Sequence, residues 1–171
     1  MEIEVVIEIP QGSRNKYEAN HETGEIWLDR HLFTAARYPV DYGFFPRTLS
    51  EDSDPLDALV LLDESTFPGC HVLARPLGVF WMRDDAGPDA KVLCAPAGDP
   101  RWDAINDLDD LRPELLAEIS QFFEIYKVLE PKKYAEVRGW EGRTAAEAEI
   151  VASQQRYVEH ASTARAPDPP A

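Results

Sequence analysis

The chain is 171 residues long, 44% apolar and carries a formal net charge of −15, which fits one domain with its own core. No apolar run approaches the roughly 20 residues of a membrane-spanning helix, and no basic segment leads into an apolar stretch at the start. A membrane span and a secretory signal are therefore not expected, and the cytoplasm is the expected compartment. The acidic balance excludes nucleic acid and anionic membrane as main partners, because each binds through a basic face.

In chain order, Ile3, Val5, Ile7 and Ile9 alternate with Glu4, Val6 and Glu8, the period of a strand with one well-buried face. Pro10-Gln11-Gly12 ends it. Residues 15–19 and 25–29 flank His21-Glu22-Thr23-Gly24 as a hairpin, and His21 reads as a plain turn residue, the alternative being that it approaches the functional site or a subunit contact near Lys16. Tyr38-Pro39-Val40-Asp41-Tyr42-Gly43 reads as a loop with two phenols around a proline. Residues 58–62, 70–75, 77–82 and 91–95 are four more strands, separated by Gly and Pro. Cys70 and Cys94 share no metal-ligand spacing and read as buried thiols. Many short strands with such turns predict a barrel.

Helices come late. Pro113 suits a first helical position, and Leu115, Leu116, Ile119, Phe122, Phe123 and Tyr126 follow at helical spacing. Thr144 with Glu147 forms a capping-box pattern, with Ala148, Val151 and Val158 on one face. Residues 1–160 read as a single domain. Residues 161–171 read as a disordered tail of small residues and proline.

The densest chemical signal is Asp52-Ser53-Asp54-Pro55-Leu56-Asp57, directly before a buried strand. In an extended chain Asp52 and Asp54 point the same way, and Asp57 joins them only if the chain bends. Three carboxylates at the mouth of a strand repel one another unless a cation lies between them, and such hard oxygen ligands select Mg²⁺, Mn²⁺ or Ca²⁺. An EF-hand is excluded, because Asp57 stands where that loop requires Gly. Asp84-Asp85-Ala86-Gly87-Pro88-Asp89-Ala90-Lys91 reads as a second acidic turn, and Glu8 lies on the second face of the first strand. Lys16, Arg30, Lys127, Tyr38, Tyr42 and Tyr126 are scattered donors. A phosphate held by metal ions on one side needs such donors on the other, and bound cations would reverse the acidic field.

Glu8-Ile9-Pro10, Lys16-Tyr17-Glu18, Asp29-Arg30, Tyr38 to Gly43, Asp52 to Asp57, Asp84 to Lys91 and Phe122-Phe123-Glu124-Ile125-Tyr126-Lys127 resemble, in order and spacing, the soluble family I inorganic pyrophosphatases. The resemblance spans residues 2–158 and is nearest the short bacterial, actinobacterial-like members. It implies an α+β, mostly β fold: an OB-like five-stranded β-barrel with two C-terminal helices packed outside. It also implies an inorganic diphosphatase that hydrolyses pyrophosphate to two orthophosphates by a metal-activated water, without a covalent intermediate. A homohexamer is implied, with several Mg²⁺ ions per site, Mn²⁺ or Zn²⁺ as substitutes, and Ca²⁺ as inhibitor.

By the same resemblance, Asp52, Asp57 and Asp89 hold the tightest ions, and Asp84 and Glu8 serve further ones. Lys16, Arg30, Tyr42, Tyr126 and Lys127 bind phosphate oxygens, supported by Glu18, Tyr38 and Lys91. Asp54 is the first choice for handling the attacking water, and Asp89 the second. Three positions depart from the family pattern: Ser53 replaces a common Gly, Asp85 a common Glu, and Ile125 a frequent His. A non-enzymatic OB-type nucleic-acid-binding barrel is the alternative, but it needs a basic groove with stacking aromatics. A catalytically dead metal-binding relative is opposed by the complete set of carboxylates.

Overall fold

The computed structural model describes residues 1–164 apart from Glu22 and Ala86. The elements are β1 (Ile3–Ile9), β2 (Asn15–Ala19), β3 (Ile26–His31), β4 (Asp41–Phe44), β5 (Asp57–Val60), β6 (His71–Asp84), β7 (Gly87–Pro96), α1 (Pro113–Ile125), β8 (Ala135–Gly142) and α2 (Arg143–Ala164). Two short 3₁₀ turns, Pro100–Trp102 and Leu108–Asp110, precede α1.

β1, β4, β5, β7 and β6 are joined in that order, and β6 pairs back onto β1. This closes a five-stranded ring, as the resemblance implied. β6 makes the closure possible by its length. Its first part, residues 71–74, pairs with β1, and residues 78–84 pair with β8. The sequence reading split this strand at Pro76. The chain instead runs through, with a register shift against β7 between Pro76 and Gly78. A proline has no N–H to give the ladder, so a bulge is where a strand tolerates it. β5 and β7 run parallel, while the other ring pairs are antiparallel.

Two strands were not legible as such. β4 lies inside the segment read as a loop, and β8 lies after α1, where no strand was expected. β2 and β3 form a separate two-stranded ribbon. It is tied to the barrel where the Ala19 N–H donates to Glu8 Oε1 at 2.7 Å.

Side-chain alternation along β5 divides the core. Leu59 and Leu61 join Ile9, Leu77, Phe80, Leu93 and the α1 residues Ile119, Phe122 and Phe123. Ala58 and Val60 join Val5, Ile7, Val79, Val92, Cys94 and the α2 residues Ala146 and Ile150. The buried face of α2 is therefore Ala146, Ile150 and Ser153, whereas Ala148, Val151 and Val158 are exposed. The apolar periodicity of this helix was misread because its buried stripe is narrow and includes Ser153, whose hydroxyl donates to the Ile150 carbonyl at 2.9 Å. α2 continues through Ala164, past the point where the tail was expected to begin; residues 165–171 lie outside the described residues. Cys94 is buried as expected, and burial pushes its thiol pKa up. Cys70 is only half-buried.

Gly43 is required where β4 crosses β1. A Cβ there would lie 2.0 Å from the Val6 carbonyl oxygen and 2.8 Å from Ile7 Cα, both backbone atoms that cannot turn aside. Gly43→Ala is expected to destabilise the fold by at least the roughly 1–3 kcal/mol of ordinary overpacking, seen as a lower midpoint in urea unfolding. An unchanged midpoint would show that β1 and β4 are not held this close.

Candidate active site

The acidic loop is held by short backbone links before it reaches β5. The Thr48 hydroxyl donates to the Phe45 carbonyl at 2.6 Å and accepts from the Leu56 N–H at 2.9 Å. The Ser50 N–H donates to the Asp54 carbonyl at 2.7 Å, and the Asp54 N–H to Asp52 Oδ1 at 3.1 Å. α2 braces the loop from behind, where Leu49 N–H donates to the Ser153 carbonyl and Arg156 Nε to the Leu49 carbonyl. Ser53 sits at φ 76°, in the left-handed region that favours glycine. That conformation is a physical reason for Gly at this position, and it makes Ser53 a mildly strained substitute.

From this loop Asp57 enters β5 opposite Lys91 of β7. Asp89 and Lys91 are two residues apart on β7 and share a face. Asp84 ends β6, and Tyr126 and Lys127 follow α1. Glu8 comes from β1, Lys16 and Glu18 from β2, Arg30 from β3 and Tyr42 from β4. All of these, with Asp52 and Asp54, line one cleft of about 280 Å³. Of the residues expected at the site, only Tyr38 lies behind this lining. It is buried against Tyr42 and Phe122, with ring centroids at 5.5 and 4.7 Å.

The cleft also takes in groups that were not assigned to it. Lys133 reaches it from the turn after α1 and pairs with Asp85 at 2.5 Å. His21 lines it as well, edge-on to Phe44 at 4.6 Å, so this turn residue does approach the site. Neither carries a local motif, because both arrive from turns whose approach depends on the whole fold.

Charge is unevenly balanced here. Among the described residues, eight carboxylates and five cationic side chains line the cleft, so carboxylates remain in excess. Lys91 is 2% exposed and reaches both Asp57, at 2.5 Å, and Asp89, at 2.7 Å. Burial disfavours its charge, but the two carboxylates more than offset this and hold the ammonium charged. Lys127 pairs with Asp84. Burial pushes the carboxyl of Asp89 up despite Lys91, and burial also pushes Asp52 up. Burial pushes Tyr42 and Tyr126 well above the usual phenol range, with Asp57 adding to Tyr42. Both phenols therefore stay protonated and remain donors.

The donor set fits Mg²⁺-type ions: every anionic side chain lining the cleft offers hard oxygens, and several are buried with too little positive charge nearby. Among the described residues no three such groups yet converge as a cage. Lys91 stands between Asp57 and Asp89 and keeps them apart.

Glu8 shows the cost of this excess. It is 8% exposed, and burial pushes its carboxyl up to about 7, against the opposing Ala19 N–H bond. Below pH 4.5 the group is protonated whether folded or not. Between 4.5 and 7 the unfolded chain loses the proton while the folded chain keeps it, so stability falls as pH rises. In excess chelator, Glu8→Gln is expected to stabilise the protein at pH 8 by on the order of 3 kcal/mol and to have little effect at pH 4.5. Equal melting temperatures at pH 8 would contradict this.

A family model described as inorganic pyrophosphatase matches residues 5–158. The chain is 57% identical to the inorganic pyrophosphatase of Streptomyces coelicolor, over 92% of this chain and 96% of that protein. It is 55% identical to that of Leifsonia xyli, over 86% and 90%. Its fold is similar to the solved inorganic pyrophosphatase of Helicobacter pylori, with a TM-score of 0.90, 42% identity and coverage of 92% and 94%. Thermus thermophilus inorganic pyrophosphatase gives 0.88, 47%, 92% and 91% in the same terms. With a barrel of this topology and a cleft built from the expected blocks, the chain belongs to the inorganic pyrophosphatase family.

Proposed function

We propose that this chain hydrolyses inorganic pyrophosphate to two orthophosphates, using water and no covalent intermediate. The observation that carries this reading is a single cleft lined by carboxylates in excess together with cations and protonated phenols, in a chain of this family. The metals are divalent, chiefly Mg²⁺. Asp52, Asp57 and Asp89 would hold the tightest ions, with Asp84 and Glu8 serving further ones. When bound, such ions neutralise phosphate charge and make water more acidic.

The chain's own groups do the rest. Lys16, Arg30 and Lys127 face the phosphate oxygens and offset the charge that develops on the leaving phosphate. Tyr42 and Tyr126 donate O–H bonds to the same oxygens, as their burial keeps them neutral. Lys91 and Tyr38 support from beneath, and Glu18 steadies Lys16, its partner in the ribbon. Asp54 is exposed at the tip of the acidic loop, free of the buried lysine contact that engages Asp89. It is our first choice for taking the proton of the attacking water, and Asp89 is the second.

No helix among the described residues is long and apolar enough to cross a membrane, and we place the enzyme in the cytoplasm. We also propose a homohexamer. Exposed Ile125, Val128, Leu129 and Val158 supply apolar surface for self-association. Sedimentation should then give a mass far above the 19.3 kDa chain, and a fully active monomer at micromolar concentration would contradict it.

Phosphate release from pyrophosphate tests the activity. It should require Mg²⁺, stop in excess chelator, fall when Ca²⁺ is added and persist in part with Mn²⁺ or Zn²⁺. Full turnover in chelator would sink the metal requirement. Two variants separate the neighbouring acids. Asp57→Asn should weaken metal binding, so that high Mg²⁺ restores part of the activity. Asp54→Asn should lower turnover on the order of 10²–10⁴-fold with normal metal affinity and no rescue. Rescue of Asp54→Asn by Mg²⁺ would make Asp54 a metal ligand and leave the proton to Asp89 or to a metal-bound hydroxide with no protein base.

A further inference from the structure

Arg30 reaches the cleft from β3 and is held by two residues outside the cleft lining: its chain neighbour Asp29, a third exposed, which meets Nη1, and Glu130, which is buried. Glu130 stands in the turn after α1, three positions beyond Lys127. Its side chain is 6% exposed, and both of its oxygens meet the guanidinium. Arg30 Nε donates to Oε1 at 3.0 Å, and the second terminal nitrogen lies 2.9 Å from Oε2. This is the two-point match of a planar fork to a carboxylate, and it fixes orientation as well as position. The turn is closed in its own right, since the Glu130 N–H donates to the Lys127 carbonyl at 2.9 Å.

One short turn thus carries Lys127, which pairs with Asp84, and Glu130, which pairs with Arg30. Two cations from distant parts of the chain are set in a constant relation by this arrangement. The need is physical. Arg30 has a long, flexible arm, and carboxylates outnumber cations around it. Without Glu130 the guanidinium would keep only the single-point contact to the more exposed Asp29, free to turn onto one of those carboxylates and spoil both the anion site and the metal site. Burying a carboxylate is costly unless it is paired on all sides, so a buried glutamate aimed at one cleft cation marks a specific task.

We propose that Glu130 is a positioning residue that clamps the Arg30 guanidinium toward the phosphate subsite and keeps it off the cleft carboxylates. The proposal rests on the reading of the cleft as a pyrophosphate site. The test is a double-mutant cycle on orthophosphate affinity, read by calorimetry with Mg²⁺ present, alongside kcat and KM for pyrophosphate. Glu130→Gln keeps the shape but loses the charge and one of the two acceptors. It is expected to weaken orthophosphate binding and kcat/KM by roughly 10- to 100-fold, the usual effect of misplacing a binding group. In an Arg30→Ala background the same change should alter neither by more than about twofold.

Equal losses in both backgrounds would show a merely structural role and overturn the proposal, as would a Glu130→Gln enzyme with unaltered affinity and kinetics, or an Arg30→Ala enzyme without loss. Should Glu130→Gln fail to fold, Glu130→Asp, which keeps the charge on a shorter arm, takes its place with the same expected dependence on Arg30. If the unaltered chain binds orthophosphate but does not hydrolyse pyrophosphate, the proposed function fails while the affinity cycle still judges Glu130.

Discussion

Lys91 lies beneath the cleft with almost none of its surface in water, its ammonium between Asp57 of β5 and Asp89 of β7. Desolvation opposes a charge there, and only the two carboxylates make it tolerable. The contact works in both directions. Without the ammonium, Asp57 and Asp89, diagonal neighbours on adjacent parallel strands, would repel each other uncompensated, and losing one partner of a buried ion pair costs about 3–5 kcal/mol. The ammonium also lies 5.4 and 5.1 Å from the ring centroids of Tyr42 and Phe123. It thereby joins the aromatic core under α1 to the acidic rim above. The barrel and the site are one structure at this point.

Much else follows from where that charge sits. β5 is short, and its first residue is Asp57. The acidic loop before it is stapled by Thr48 and braced by α2, so Asp52 and Asp54 are delivered to the same rim. β7 carries Asp89 and Lys91 on one face, and β6 ends at Asp84. The opposing cations come from the β2–β3 ribbon and from the end of α1, elements that lie outside the ring. The site is therefore assembled from nearly every element, and a rigid barrel is what keeps so many separate contributions in register.

The legible part was local. Strict alternation over β1, the proline and acid spacing before β5, and the helical period of α1 each express a single element, and each was found. The residues of the cleft were legible as blocks through their resemblance to a family. What escaped was non-local. The Tyr38 to Gly43 segment looked like a loop because proline and glycine flank it, yet residues 41–44 pair with both β1 and β5, and tertiary pairing overrides local propensity. The two halves of β6 looked like separate strands because Pro76 lies between them. The face of α2 was misassigned because a buried serine breaks its apolar stripe. Glu130 and Lys133 give no signal at all, since only the fold brings their turns to the cleft, and His21 is signalled only by its place in the hairpin near Lys16.

We propose that the surplus of carboxylates around Lys91 is completed by divalent cations. The direct measurement is thermal unfolding of the unaltered chain over a Mg²⁺ series, compared with NaCl at matched ionic strength. Ions that bind only the folded cleft should raise the melting temperature steadily with the logarithm of Mg²⁺ concentration. At about 100 times the dissociation constant the gain is about 2.7 kcal/mol per site, or roughly 5–10 °C for a chain of this size. A melting temperature that follows ionic strength alone, with Mg²⁺ no better than Na⁺, would contradict the claim.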